Sequence, residues 1–196
     1  GALISYLQLT QKDNIPNILD IDVLKNNQFM EVDYTSSQSL ELFQRINGER
    51  KGSLLDTIDF TVSPSGARML KEYLKNPLLD KIDINKRLDY VEMFVQNISL
   101  VEKIREALRG TPDLDRTLSR VSANTNNPKD MLVISNFIEK SNNAFNIILS
   151  LKENILSNLV PDKGIRSTMD SLYSLINKNI SEFTPISVND GGEIKK

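Results

Sequence analysis

Residues 127–150 read NPKDMLVISNFIEKSNNAFNIILS, and this stretch decides the fold class. Asn127 is a residue type that accepts a hydrogen bond from an orphan backbone N–H. Pro128 fits the first helical position, where no internal bond is lost, and Asp130 is an acid where the helix dipole favours one. Met131, Ile134, Ile138, Phe145 and Ile148 then recur at helical spacing, with Ser141 interrupting the stripe. The pattern predicts a long amphipathic helix from Pro128, extended by Ile155 and Leu159 if it does not break near Asn154. Pro161 ends it, and Ile165, Met169, Leu172, Ile176 and Ile180 define one more amphipathic helix.

Upstream of this stretch the same logic repeats. Ser63-Pro64 starts a helix striped by Ala67, Leu70 and Leu74 and stopped by Asn76-Pro77. Asp83 reads as the cap of a helix whose Ile84, Leu88, Val91 and Val95 share one face, and this spacing predicts their burial in the core. Ser99 with Glu102 reads as a capping box before Leu100, Ile104 and Leu108, and Gly110 closes that helix. A short helix follows Pro112 through Leu114, Leu118 and Val121. Nearer the start, Asp33 or Thr35 caps a helix carrying Leu40 and Phe43 that Gly48 ends, and Ser53 caps a turn at Leu54.

One segment departs from helical spacing. Ile18 to Val23 and Phe29 to Asp33 alternate apolar and polar residues on either side of Lys25-Asn-Asn-Gln28, which predicts a small β-hairpin over 18–33. No β-α-β alternation occurs, so the expected fold is mainly α and multihelical, with two helical subdomains and a small N-terminal β-hairpin. The expected divisions are the end of an entering helix at 1–14, a helical core at 15–126, and long helices at 127–196. The polar loop from Ser122 to Asn127 separates the last two.

Composition limits the chemistry. The 196 residues contain neither Cys nor His, which removes thiolate nucleophiles, zinc-thiolate sites and the commonest neutral-pH general base. Net charge is −2, so no global positive field recruits nucleic acid. No apolar run is long enough to cross a bilayer and no signal peptide is recognisable, which points to a cytoplasmic location.

The string Gly-x-x-x-x-Gly-Lys-Ser/Thr is absent; Lys51-Gly-Ser53 has related residue types in the wrong order. The carboxylate pairs Asp20/Asp22, Asp56/Asp59 and Asp113/Asp115 have local explanations, as strand-surface or helix-end residues. No catalytic, cofactor-binding or metal-binding residue is therefore expected in this chain, and it is not expected to be an enzyme alone. The basic candidates for contact with DNA or with a neighbouring domain are Arg45, Arg68, Lys71, Arg116 and Arg120, with Arg50 and Lys75 nearby. Acids beside them favour ion pairs or domain contacts as their commoner use.

As whole strings, these segments resemble the helical core, or lever, domain of the MutS family of DNA mismatch-repair proteins. Gly1 to Lys12 resembles the family's junction from connector to core, and Phe29-Met-Glu-Val-Asp33 with Ser39-Leu-Glu-Leu42 resembles the core entry. The most distinctive block is Lys51-Gly-Ser-Leu-Leu55, Asp59, Thr61, Gly66-Ala-Arg-Met-Leu-Lys71 and Asn76-Pro-Leu78, continued by Ile84-Asn-x-Arg-Leu-Asp89. Asp113-Leu-Asp-Arg116, Leu118-Ser-Arg120 and Asn127-Pro-Lys-Asp130 form the next, and Val188-Asn-Asp-Gly-Gly192 resembles the approach to the DNA clamp. Glu72-Tyr73 and Ser36-Ser37-Gln38 depart from commonly basic or aromatic positions.

The resemblance implies a bacterial-type parent protein that binds mismatched duplex DNA, uses ATP and Mg, and works as a homodimer. It implies neighbours in the form of connector, clamp and ATPase domains. This chain would be the segment that transmits conformational change between ATPase and clamp, and would bind neither ATP nor mismatched DNA alone. From composition alone, a helical protein-interaction module or a weak direct DNA-binding module remain alternatives.

Overall fold

The computed structural model describes residues 5–6, 9–10, 29–151 and 154–181. Within them the named elements are helices: α1 (Tyr34–Ser39), α2 (Leu54–Ile58), α3 (Pro64–Lys75), α4 (Lys81–Gln96), α5 (Ile98–Leu108), α6 (Leu114–Ser122), α7 (Pro128–Ser150), α8 (Asn154–Ser157) and α9 (Lys163–Asn179). The first arm of the expected hairpin, with Asp20 and Asp22, lies outside the described residues. Its second arm makes an antiparallel bridge from Phe29 to Leu78, and Met30 N–H donates to the Pro77 carbonyl at 2.8 Å.

α7 is the axis of the molecule, packing against α5, α6 and α9. Its start follows the sequence closely: the Asn127 side chain accepts from the Asp130 N–H at 3.1 Å while the Asp130 carboxylate accepts from the Asn127 N–H at 2.9 Å. This reciprocal box satisfies two donors that a helix start leaves orphaned. The helix ends at Ser150, so Ile155 and Leu159 do not continue it, and Leu156 on the short α8 is instead fully buried. Ile134, Ile138, Ala144 and Ile148 are buried on α7, and so are Ser135 and Ser141.

Two apolar clusters lie along this axis. Met93, Leu100, Ile148 and Leu156 form one, with Tyr90, Phe94, Ile104, Ile147 and Val160 packed on it. Ile134, Ile138 and Ile176 form the other, joined by Leu114, Val121, Met131, Met169, Tyr173 and Ile180. The first draws on helices either side of the 122–127 loop, so packing is continuous across it.

Several local readings change. The cap of α4 is Asp80, whose carboxylate accepts from Ile82 and Asp83 N–H groups. α5 begins directly after Asn97 without a side-chain cap, because Asn97 turns its amide back onto the Met93 carbonyl. α1 stops at Ser39, short of Gly48, and Leu40 is exposed. The largest correction concerns α4: Ile84, Leu88, Val91 and Val95 are 37% to 67% exposed. The helix buries Met93 instead and packs Tyr90 and Phe94 on the cluster, which leaves the apolar stripe largely at the surface of the described residues. On α9 the inward face runs through Met169, Tyr173, Ile176 and Ile180, leaving Ile165 53% and Leu172 40% exposed. Gly110 follows α5 at φ 71, the left-handed conformation that suits a helix end and that a side chain would strain.

Candidate nucleic-acid interface and the ion-pair relay beside it

The five basic candidates separate into two groups. Arg68 and Arg120 are committed to carboxylates; Arg45, Lys71 and Arg116 are exposed.

Arg68 stands in the first half of α3, pointed at the start of α6. Its guanidinium reaches Asp113 at 2.9 Å and Asp115 at 2.6 Å, two acids that α6 holds at its own N-terminus. Asp113 is the N-cap there, accepting from the Arg116 N–H, so one carboxylate closes the helix and binds α3 to it. The Arg68 hydrogen bond, aided by the Arg116 N–H and the two guanidinium charges, holds the Asp113 carboxyl below its ordinary value. Asp113 in turn raises the Arg68 pKa.

Arg120 makes the second link at the other end of α6. Its Nε lies 3.1 and 3.2 Å from the two Asp130 oxygens, and its terminal nitrogen also donates to Asp130 and to the Thr117 hydroxyl. Asp130 is 3% exposed, and its carboxylate simultaneously serves the α7 capping box. The Arg120 hydrogen bond lowers its pKa against the opposing effect of burial. Thr117, 2% exposed, donates to the Asp113 carbonyl and so ties the two ends of α6 into one network. A planar two-pronged guanidinium suits this work where an ammonium would not. The result is a relay of ion pairs running α3, Asp113/Asp115, α6, Asp130, α7.

Sequence reading singled out Arg68 and Arg120 among the basic residues, and the structure supplies the carboxylates they pair with. Asp130 looked like a dipole-favoured acid, and its pairing with Arg120 is legible only once the loop through Asn124, at φ 54, folds the chain back. Arg50 is likewise paired, with Asp59 at 2.8 Å, and Asp59 also accepts from the Thr61 hydroxyl at 2.6 Å. Asp56 accepts from the Gly52 N–H at 2.9 Å, and its own N–H donates to the Ser53 hydroxyl at the α2 cap. Both acids of that pair thus have local hydrogen-bond partners.

An open groove of about 770 Å³ lies between α1 and α3, with Leu42, Phe43 and Leu74 among its apolar lining and Lys71 and Lys75 on its rim. Lys71 sits 5.9 Å from the centre of the Phe43 ring, a cation–π contact that leaves the ammonium at the surface. Glu72 shares the rim and dilutes its charge. Among the described residues no three Asp or Glu side chains gather as metal donors, and no helix is long and apolar enough to cross a membrane.

DNA mismatch repair protein MutS of Rickettsia bellii is 36% identical over 203 residues, covering 100% of this chain and 22% of that protein. The proteins of the same name from Rickettsia typhi and Rickettsia felis are 35% and 36% identical, again across 100% of this chain and 22% of their own length. The chain thus spans about a fifth of the curated relatives it matches. The family model described as MutS domain III matches residues 35–196, which takes in every helix from α2 to α9 and both ends of the ion-pair relay, and the chain belongs to that family.

Proposed function

We propose that this chain is the core and lever segment of a DNA mismatch-recognition ATPase, and that it carries conformational change between an ATPase domain and a DNA clamp. The observation that bears most on this reading is the ion-pair relay from α3 through α6 to the buried Asp130 at the start of α7. Bidentate guanidinium links between helix ends resist relative rotation, and a 23-residue helix gives the displacement a long stiff arm. A segment that couples two sites needs such bodies more than it needs reactive groups.

In this reading residues 1–14 lead in from a connector, 15–126 form the core and 127–196 rise towards the clamp. The parent protein is a cytoplasmic homodimer that binds mismatched duplex DNA and uses ATP and Mg; the fragment by itself does neither. Arg45, Lys71 and Arg116 are surface contacts to DNA or to an adjoining domain, and Arg68 and Arg120 act through the carboxylates they hold.

The test belongs in the full-length protein. Replacing exposed Asn136 by proline kinks α7 and costs the helix about 2–3 kcal/mol without removing a buried side chain. ATP binding and mismatch binding are expected to survive separately, while ATP-driven clamp closure on mismatched DNA weakens. Unchanged coupling would refute the lever. If the isolated chain bound duplex DNA with a steep salt dependence, the direct DNA-binding reading would replace it.

A further inference from the structure

Asn47 is the one asparagine of the chain that is followed by glycine. That pairing is chemically labile, because the glycine nitrogen, with no Cβ beside it to hinder approach, can attack the neighbouring side-chain amide within the same chain. The structure sets the pair in an exposed loop between α1 and α2. Gly48 has φ 85, and apart from its chain neighbours no atom stands within 4 Å of where a side chain would start, so solvent reaches it freely. Yet the three atoms the reaction must use are all held. The Gly48 N–H donates to the Arg45 carbonyl at 2.8 Å. Asn47 Oδ1 accepts from the Glu49 N–H at 3.0 Å, and Asn47 Nδ2 donates to Glu49 Oε2 at 3.1 Å. The Arg45 N–H, donating to the Glu49 carbonyl at 2.8 Å, closes the turn around them.

We propose that Asn47 is a site of spontaneous deamidation, held nearly shut while the turn over residues 45–49 is closed and released when that turn loosens. Solvent hydroxide takes the Gly48 amide proton, and the nitrogen forms a bond to Asn47 Cγ. The Cγ–Nδ2 bond breaks, and ammonia leaves with a proton from water. Water then opens the resulting five-membered imide at either carbonyl, giving aspartate or isoaspartate. Nothing is oxidised or reduced, and water is the only reactant consumed. For the ring to close, the Gly48 nitrogen must leave the Arg45 carbonyl and the Asn47 amide must leave Glu49. The Glu49 carboxylate, and that of Glu41, which accepts from the Ile46 N–H at 2.9 Å, also disfavour an anionic nitrogen between them. All these bonds lie at the surface, where local opening is cheap, so the restraint slows the reaction without abolishing it.

The product cannot remake the turn. A carboxylate at position 47 has no N–H to give Glu49 and repels it instead. The same loop carries Arg45, Arg50 and Lys51 against Glu49, an excess of two positive charges that the new acid cuts to one. The modification thus discharges part of the surface that holds Arg45, and it does so whatever the parent protein does with that surface.

The test is peptide mapping by mass spectrometry, with isoaspartate detection, on the full chain held in mildly alkaline buffer. Asn47 is expected to be the first asparagine converted in the folded chain, and to convert many-fold faster once urea unfolds it. Glu49→Ala removes the tether on Nδ2 from an exposed position, so the folded variant should convert several-fold faster than the folded parent. In urea the two chains should convert alike. If another asparagine is converted first in the folded chain, Asn47 is not the site. If folded and unfolded parent chains react at the same rate, or if Glu49→Ala changes nothing in the folded state, the turn does not restrain it.

Discussion

α7 has two unlike neighbours. On one side Ile148 packs with Met93, Leu100 and the fully buried Leu156 in a wholly apolar cluster. On the other, α9 meets it through Ser135, Asn142 and Asn146 as well as through Ile134 and Ile138, and two polar atoms there stay unpaired. Apolar burial is non-directional and close-packed, so it fixes a helix by volume. Hydrogen bonds between side chains are directional, so they fix it by the register in which donors meet acceptors. The first contact is held by apolar volume alone, the second by volume and by matched polar groups.

The largest expected effect tests the fixed side. Leu156→Ala removes a fully buried side chain from the cluster and should destabilise the chain by roughly 3–5 kcal/mol in urea melts. Ile176→Ala, on the α9 side, should cost less, about 2–3 kcal/mol, because the neighbouring seam can close over the gap. Equal losses would erase the distinction between the two sides.

Next comes the joint where the relay enters α7. Asp130→Ala deletes both the Arg120 pairing and half of the capping box, leaving the guanidinium without its buried partner; a loss of roughly 2–4 kcal/mol is expected. If the variant melts like the parent chain, the relay does not hold α7.

Much of this was legible in the sequence, for reasons that also mark where legibility stops. Helix starts at Ser53, Ser63 and Asn127 were readable because a cap is a local event, one side chain on a backbone N–H three residues away. The resemblance to MutS came from strings such as Gly66-Ala-Arg-Met-Leu-Lys71, and it has the family match behind it. The face of α4 was misread because spacing reveals that Ile84, Leu88, Val91 and Val95 share a side, not whether anything covers it. Of the candidate site, Arg68 and Arg120 could be singled out as charges, but their use depended on Asp113, Asp115 and Asp130 being brought to them by helix packing.

A smaller effect sharpens the polar side of the comparison. Asn142→Leu removes a buried acceptor that has no partner together with the hydrogen bond to Asp170, a residue already exposed to water. Stability should stay within about 1 kcal/mol of the parent chain, in either direction. A clear loss would mean that the Asn142 to Asp170 hydrogen bond fixes the seam, and that α9 is held as firmly as α5.

The smallest effect is expected at Arg68→Gln, and it is best read by acid titration. Arg68 is 42% exposed at its side chain, and exposed ion pairs contribute little, so Tm at neutral pH should fall by no more than about 2 °C. The informative change is at Asp113, which Arg68 holds below the ordinary carboxylate value. A carboxyl depressed in the folded state favours folding above its unfolded pKa, and that contribution disappears as pH falls through the folded value. Without Arg68 the Asp113 carboxyl should titrate closer to 3.8, so the small stability difference between the two chains is present at neutral pH and vanishes in acid. Asp130, held by Arg120 at the far end of α6, should keep its depressed titration in this variant. If carboxyl-resolved NMR showed both acids rising together, α6 would be a strained element relaxing as a whole, and the relay would be one joint instead of two independent ones.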